Sequence, residues 1–125
     1  PTVTGASKAA TLVIPELQNK FTGLSLRVPV VCGSIADITL LLKQNVTVDQ
    51  INEALIQASQ TPIYNSIVAV SHDPLVSSDI IGRTESAIVD LSLTQVCDGN
   101  LIKVVAWYDN EWAYANRLVE LAEAY

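Results

Sequence analysis

The first residues of the chain place a hydroxyl and a glycine at the start of a predicted helix, in the run Thr4-Gly5-Ala6-Ser7-Lys8-Ala9. A helix N-terminus presents free N–H groups and a partial positive charge, so it can bind an anion. Glycine lets a ligand oxygen approach the backbone closely. Thr4 can equally be an ordinary N-cap, because its hydroxyl can accept from N–H groups two or three residues on. Spacing alone favours the ordinary cap.

A single arginine, Arg27, stands on the polar face of a predicted strand at residues 24–31, just before Pro29. Its guanidinium offers two parallel donors that match a phosphate or a carboxylate. A structural ion pair would explain one isolated arginine as well. Arg27 is therefore a candidate anion ligand whose role depends on its neighbours in the fold.

Three consecutive polar residues, Asp109-Asn110-Glu111, join the longest predicted strand to the last predicted helix. Neighbouring side chains on a helix point in different directions, and acidic residues are common in a first helical turn. We therefore expect no metal ion here, since the ligand geometry is unsuitable. Asn110 carries both a donor and an acceptor, which suits recognition of a carboxamide.

Two further sets of reactive residues carry less weight. Ser71-His72-Asp73 contains the three residue types of a hydrolase triad, but adjacent residues cannot converge on one substrate atom. His72 is the only histidine, and we expect it on a loop without a catalytic role. Cys32 and Cys97 lack metal-ligand spacing and a Cys-x-x-Cys pattern. They are interpreted as buried free thiols, which are typical of a cytoplasmic protein.

The elements that would hold these residues follow from periodicity and turn signals. Helices are predicted at residues 4–14, from residue 47 onward, and from residue 109 to the end, the last with an apolar face of Trp112, Ala115, Val119 and Ala122. The helix after Thr47 begins with a capping box that Gln50 completes. Strands are predicted at residues 24–31, 34–43, 67–70, 84–91 and 100–108. This order favours an α+β fold, with a largely antiparallel sheet covered by helices on one face.

Composition limits the classes of function. A chain of 125 residues suits one domain, and its net charge of −6 with only seven lysines and arginines makes nucleic-acid binding improbable. The longest uncharged stretch, between Glu53 and Asp73, is too polar to span a membrane. Half of the residues are hydrophobic, and the mean hydropathy is +0.34. Together with the start at Pro1 and the lack of methionine, this favours an excised piece of a larger assembly with apolar interfaces.

Several stretches resemble one enzyme family. Thr4-Gly5-Ala6-Ser7-Lys8-Ala9 resembles its Thr-Gly-Ala-Ala-Lys-Ala, and Leu26-Arg27-Val28-Pro29 resembles its Phe-Arg-Val-Pro. The run from Trp107 to Glu111 is identical to its Trp-Tyr-Asp-Asn-Glu, with Asn116-Arg117 continuing the match, and Leu75–Asp79 resembles its Val-Val-Ser-Ser-Asp. The family is glyceraldehyde-3-phosphate dehydrogenase, which oxidises its aldehyde with NAD and inorganic phosphate. The chain resembles the C-terminal, catalytic-domain portion of that enzyme.

The resemblance implies a role for five residues. Thr4 and Gly5 match the inorganic-phosphate site, and Arg27 matches an arginine that binds phosphate in the active site. Asn110 matches the asparagine that holds the nicotinamide carboxamide, and Tyr114 matches a tyrosine beside the nicotinamide ring. It also implies a cytoplasmic homo-oligomer that uses NAD, or NADP, with inorganic phosphate and an aldehyde phosphate.

The chain departs from the family in ways that matter for activity. Nothing resembles the Ser-Cys-Thr-Thr-Asn motif of the nucleophilic cysteine, the histidine that activates it, or the Gly-x-Gly-x-x-Gly of the nucleotide-binding domain. His72 stands where the family usually has an acidic residue, and Ala113 and Ala115 replace the glycine and serine around Tyr114. We therefore expect residues 1–125 to be a partial catalytic domain that lacks catalytic residues, binds no cofactor tightly, and is inactive alone. The alternatives are a fragment of erythrose-4-phosphate dehydrogenase or a stand-alone interaction module derived from the enzyme.

Overall fold

A computed structural model describes all 125 residues, and they divide into two units, Pro1–Val30 and Val31–Tyr125. The first unit contains strand β1, helix α1, a 3-10 turn and strand β2, which span Thr2–Val3, Ala6–Val13, Pro15–Leu17 and Leu24–Ser25. The two strands pair antiparallel, with Thr2 opposite Ser25 and Val3 opposite Leu24. Alanines favour α1, and Pro15, which cannot continue the helix, begins the 3-10 turn.

The strand predicted at residues 24–31 is much shorter than expected. Only Leu24 and Ser25 are in a ladder, because only Thr2 and Val3 are available to pair with them. The alternating apolar residues Leu24, Leu26 and Val28 remain exposed. Residues 26–28 lie outside the strand, so the predicted strand face is not formed beyond Ser25.

The second unit contains the main sheet. Its strands are β3 to β7, which span Ser34–Leu41, Val68–Ser71, Ala87–Asp90, Gln95–Cys97 and Leu101–Tyr108. Its helices are α2 to α4, which span Val48–Ser59, Ser77–Ile80 and Trp112–Glu123, and a 3-10 turn covers Leu91–Leu93. The predicted elements occur in the predicted order. The sequence did not predict the short elements β1, α3 and β6.

Strand β7 organises the sheet, whose order is β3-β7-β5-β4, with β6 also paired to β7. All pairings are antiparallel except β4 with β5. The fold is therefore α+β with a mostly antiparallel sheet, as predicted. The register of β3 on β7 places Ser34 opposite Tyr108 and Leu41 opposite Leu101. Consequently the residues that precede Ser34 lie beside those that follow Tyr108.

The core lies between one face of the sheet and helix α2. Val104 and Ala106 of β7 are buried together with Val89 of β5, and Ile51 and Leu55 of α2 pack against them. Helix α2 starts where the sequence predicted. The Thr47 hydroxyl accepts from the Gln50 N–H at 3.2 Å, and the Gln50 side chain accepts from the Thr47 N–H at 2.9 Å. This reciprocal capping fixes the helix that covers the sheet.

The apolar stripe predicted on the last helix is left uncovered by the rest of the chain. Trp112, Ala115, Val119 and Ala122 are all exposed. The residue of α4 that is buried is Ala113, at 3% exposure. The start of the helix is held instead by polar contacts around Asp109, so its apolar stripe faces outward. No helix in the chain is long and apolar enough to cross a membrane.

Candidate functional site

The turn between β7 and α4 is built around the buried carboxylate of Asp109, which is 3% exposed. Its Oδ1 accepts from the backbone N–H groups of Glu111 at 3.1 Å and Trp112 at 2.8 Å. Its Oδ2 accepts from the Gly82 N–H at 2.9 Å. The backbone donors of Gly82 and Trp112 lower the pKa of this carboxyl below its ordinary value. Asp109 is therefore a charged helix cap that fixes the turn carrying Asn110.

Cys32 brings two carboxylates together. Its thiol donates to Glu111 Oε2 at 3.1 Å and to Asp109 Oδ1 at 3.4 Å. The bond to Glu111, followed by desolvation, raises the pKa of the thiol to about 11. The argument that neighbouring side chains diverge applies inside a helix, but Asp109 and Glu111 precede the first helical residue, and both reach Cys32. The Cys32 thiol therefore hydrogen-bonds to both carboxylates. That no metal ion binds at these residues stays a prediction.

The prediction of two buried thiols is also wrong. Cys32 is half-buried at the rim of the sheet, and Cys97 is exposed at the end of β6. Each thiol is free. Exposure of Cys97 follows from the hairpin that joins β6 to β7, where Asp98 and Gly99 both have positive φ. The strand before this turn was not predicted, because it is only three residues long.

Asn110 is exposed, yet its side chain makes a hydrogen bond to another part of the chain. The Ser34 hydroxyl, at the first residue of β3, donates to Asn110 Oδ1 at 3.3 Å. Gly33 lies between Cys32 and Ser34 with φ +89, and a Cβ there would stand 3.3 Å from the Ser77 carbonyl oxygen. Glycine is needed at this position because other residues rarely adopt that backbone conformation. The segment Cys32–Ser34 thereby contacts all three side chains of the turn 109–111.

A concavity of about 240 Å³ lies over this turn. Asn110 and Tyr114 both line it, and the other lining residues are Ser86, Tyr108, Asp109, Ala113 and Arg117. The ring of Tyr114 is 64% exposed, so its surface is free to contact a ligand. No hydrogen bond within the chain is donated by the Asn110 side-chain nitrogen, whereas its oxygen is occupied by Ser34. The structure thus brings together the two residues predicted to contact the nicotinamide.

The three predicted phosphate ligands lie in the first unit. The Thr4 hydroxyl accepts from the Ala6 N–H at 3.1 Å, but the N-cap residue of α1 is Gly5, one position later than predicted. Gly5 is exposed, has an ordinary helical conformation, and has open space where a Cβ would stand. Arg27 is exposed, and no hydrogen bond or ion pair joins it to Thr4 or Gly5. The fold therefore places Thr4 and Gly5 together at the start of a helix.

The remaining sequence candidate is His72, which is exposed on the loop after β4. The predicted loop position is confirmed. Ser71 uses its hydroxyl to accept from the Asp73 N–H at 3.0 Å, a local turn contact. These three residues form no triad, as expected for consecutive positions.

Sequence reasoning missed Cys32 and Ser34 as parts of the site. Ser34 and Asn110 are 76 residues apart in the chain. A signal for their contact existed in the two long predicted strands, because pairing of β3 with β7 brings their ends together. The register that fixes which residues meet could not be read from either run alone.

Comparison with known proteins agrees with these motifs. Residues 1–110 match the family described as glyceraldehyde 3-phosphate dehydrogenase, C-terminal domain. The chain is 49% identical over 124 residues to glyceraldehyde-3-phosphate dehydrogenase of Borreliella burgdorferi, covering 98% of the chain and 37% of that relative. It is 46% identical over 121 residues to the Streptomyces coelicolor enzyme, covering 97% and 36%. It is also 46% identical over 123 residues to glyceraldehyde-3-phosphate dehydrogenase 2 of Synechocystis, covering 98% and 36%.

The alignment covers both units and includes the two stretches that carry the candidate site residues, Thr4–Gly5 and Asn110. Only about 36% of each relative's length is spanned by the chain. The family match covers residues 1–110, which is most of the 125-residue chain. The chain therefore belongs to the glyceraldehyde 3-phosphate dehydrogenase family, as its C-terminal domain.

Proposed function

We propose that this chain is the partial catalytic domain of a phosphorylating, NAD-dependent glyceraldehyde-3-phosphate dehydrogenase of glycolysis. In that enzyme it supplies contacts to the nicotinamide and to inorganic phosphate, whereas the nucleophilic cysteine and its base come from outside these residues. The observation that carries the proposal is the pairing of Asn110 with Tyr114 on one concavity, within a chain of this family. Alone, the chain has no dehydrogenase activity.

The side chains at the concavity fit a nicotinamide. The free Asn110 nitrogen can donate to the carbonyl of a carboxamide, and the second lone pair of its oxygen can accept from the carboxamide nitrogen. The exposed ring of Tyr114 offers an aromatic surface at the same concavity. NAD supplies the hydride acceptor, and the protein's task is to orient it. Asn110 performs that task by fixing the rotation of the carboxamide, and therefore of the ring face that meets the substrate.

Support for phosphate binding comes from the start of α1. The Gly5 N–H has no partner within the chain, and the space beside its Cα is open. Thr4 uses an oxygen lone pair on Ala6, so its hydroxyl proton remains free to donate to an anion. Arg27 has no acidic partner in the chain and would add a full charge to a phosphate.

The two unpaired thiols fit the reducing cytoplasm, where we place the enzyme.

A chimera tests this function directly. Residues 1–125 replace the matching segment of the Borreliella burgdorferi relative, which covers almost the whole chain. NADH formation is then measured with glyceraldehyde 3-phosphate, phosphate and NAD. We expect the chimera to be active and the isolated chain to be inactive. Asn110→Ala should raise the KM for NAD by roughly tenfold, since it removes a hydrogen-bonded ligand contact.

The control for this chimera is Thr39→Val, an exposed change on β3 that touches no site residue. It should leave KM and kcat unchanged. A folded, homo-oligomeric chimera without turnover would contradict the proposal, as would an Asn110→Ala variant with an unaltered KM for NAD. Turnover by the isolated chain that depends on Cys32 or Cys97 would show instead that the chain carries its own nucleophile.

A further inference from the structure

We infer that Ser34 is a positioning residue for Asn110: its hydroxyl bonds to the Asn110 carboxamide and thereby holds that side chain in one χ1 rotamer at the concavity. This inference rests on the proposed function only for the identity of the ligand at that concavity. The Ser34–Asn110 contact, at 3.3 Å, is a property of the chain itself.

The side chain of an exposed asparagine samples several staggered χ1 rotamers. Asn110 is exposed at the end of the turn, so no close packing selects one of them. The Ser34 hydroxyl can donate to the oxygen of the carboxamide or accept from its nitrogen, and it therefore favours the rotamer in which the two side chains meet. Without that hydroxyl, the Asn110 side chain would sample the other rotamers.

The backbone on both sides of this contact is fixed. On one side, Asp109 holds the N–H groups of Glu111 and Trp112, the two residues that follow Asn110. On the other, Ser34 is the first ladder residue of β3 and lies opposite Tyr108. Gly33 directs the chain into that ladder with a positive φ, and a side chain at this position would crowd the Ser77 carbonyl oxygen. Because the backbone of both residues is already fixed, the Ser34 hydroxyl can restrict the Asn110 side chain at little additional cost in conformational entropy.

The neighbouring contact of Cys32 has a different consequence. Cys32 bonds to Asp109 and Glu111 but not to Asn110, so it steadies the turn without selecting the orientation of the carboxamide. Ser34 is the one residue whose side chain bonds to that of Asn110. A test on Ser34 therefore separates placement of the Asn110 side chain from stability of the turn.

The test uses the chain as it stands and NMR couplings that report the χ1 angle of Asn110, together with the shifts of its side-chain amide. In the unmodified chain we expect couplings of a single rotamer. Ser34→Ala should move them toward rotamer averaging and shift the side-chain amide, while Ser34→Thr, which keeps the hydroxyl, should restore them. Thr39→Val on the same strand is the matched control and should change neither.

A second arm uses the active chimera. Ser34→Ala should raise the KM for NAD about fivefold, the effect of losing one neutral hydrogen bond, with no further increase when Asn110→Ala is already present. Backbone amide shifts of β3 and β7 report whether each variant retains the fold.

Each result has a distinct meaning. Averaged Asn110 couplings in the unmodified chain, or unchanged couplings in a folded Ser34→Ala variant, would overturn the inference. The first of these needs no variant, so it applies even if Ser34→Ala does not fold. If Ser34→Ala alters the couplings but Asn110→Ala leaves NAD kinetics unchanged, Ser34 still positions Asn110 and the proposed function fails. If Asn110→Ala weakens NAD use but Ser34→Ala alters nothing, the function stands and the inference fails.

Discussion

Asp109 Oδ1 lies 2.8 Å from the backbone nitrogen of Trp112 and so joins the end of β7 to the first residue of α4. One buried carboxylate thereby satisfies helix N–H groups that would otherwise lack a partner. It also accepts from Gly82, on the loop after α3. The turn that presents Asn110 is consequently anchored to two other elements, although Asn110 itself is exposed.

Removing this carboxylate should strongly destabilise the chain. Asp109→Ala leaves the N–H groups of Gly82 and Trp112 without their partner, and we expect a loss of about 3 kcal/mol in the free energy of unfolding. Glu111→Ala is the control, because Glu111 is exposed and its side chain accepts only from Cys32. It should cost less than about 1 kcal/mol. Urea unfolding measures both, and equal losses would contradict this role of Asp109.

The same contacts predict an acid dependence. The folded-state pKa of Asp109 is lowered, chiefly by the Gly82 N–H and then by the Trp112 N–H. The stability from this group is therefore complete above the unfolded value of ~3.9 and is lost as pH falls through the lower folded value. Asp109→Asn, which cannot ionise, should lack this component below about pH 4. Parallel acid profiles of the two proteins would count against it.

The sequence predicted those elements whose signals are local and long enough. The capping box at Thr47 and Gln50 fixed the start of α2, and the alternation predicted for β3 is visible in its burial. Strand β7 was predicted from its length and apolar content, and its centre is buried on both faces. Strand β2 failed because a strand needs a partner, and only two residues pair with it. Strand β6 and helix α3 were missed since three or four residues carry almost no periodicity.

The site shows the same division. Asn110 and Tyr114 are four residues apart around one helix start, so their proximity follows from local geometry. Ser34 and Cys32 reach them only through the β3–β7 register. The outward direction of the apolar stripe of α4 was not predictable either, because periodicity identifies a common face but not what covers it.

The two thiols should differ sharply in reactivity. The Glu111 bond, burial and the Asp109 bond raise the pKa of Cys32 to about 11, so at pH 8 almost none is thiolate. Cys97 is exposed at the end of β6. We expect iodoacetamide to alkylate Cys97 first, and Cys32 to react faster with rising pH up to about 11.

Glu111→Gln removes the largest cause of the raised pKa of Cys32. It should increase the alkylation rate of Cys32 at pH 8 by roughly tenfold, as expected for about one pKa unit, and leave Cys97 unaffected. Mass spectrometry of timed samples assigns each thiol. Equal rates for Cys32 and Cys97 in the unmodified chain would show that the carboxylates do not hold the thiol proton.

Self-association is expected because large apolar side chains are exposed on several elements. Val31 is fully exposed, and Val13 and Leu41 are 82% and 75% exposed. Contacts between such side chains remove apolar surface from water and are not screened by salt. Sedimentation at several protein concentrations should show that the average molecular mass rises with concentration. The rise should persist in 1 M salt, which screens charge interactions beyond ~3 Å. A monomer at every concentration, or dissociation by salt, would contradict this prediction.

Phosphate should bind weakly to the start of α1, and Gly5 should be the main contact. The Ala6 N–H already donates to the Thr4 hydroxyl, whereas the Gly5 N–H has no partner in the chain. The dipole of an exposed helix end contributes only about 0.3–1 kcal/mol, so we expect a Kd of roughly 1 mM or weaker. Phosphate titration should shift the Gly5 amide more than amides elsewhere. Arg27→Ala should weaken phosphate binding if the Arg27 guanidinium contacts the same phosphate.

Gly5→Ala separates this binding from stability. A Cβ at Gly5 meets nothing within 4 Å, and its conformation suits any residue. The free energy of unfolding should therefore change by less than about 1 kcal/mol. The added methyl group lies where an anion must approach, so phosphate binding should weaken several-fold while chloride at equal ionic strength produces no comparable shift. Phosphate shifts that survive Gly5→Ala unchanged, or that chloride reproduces, would show that the start of α1 is an ordinary helix cap.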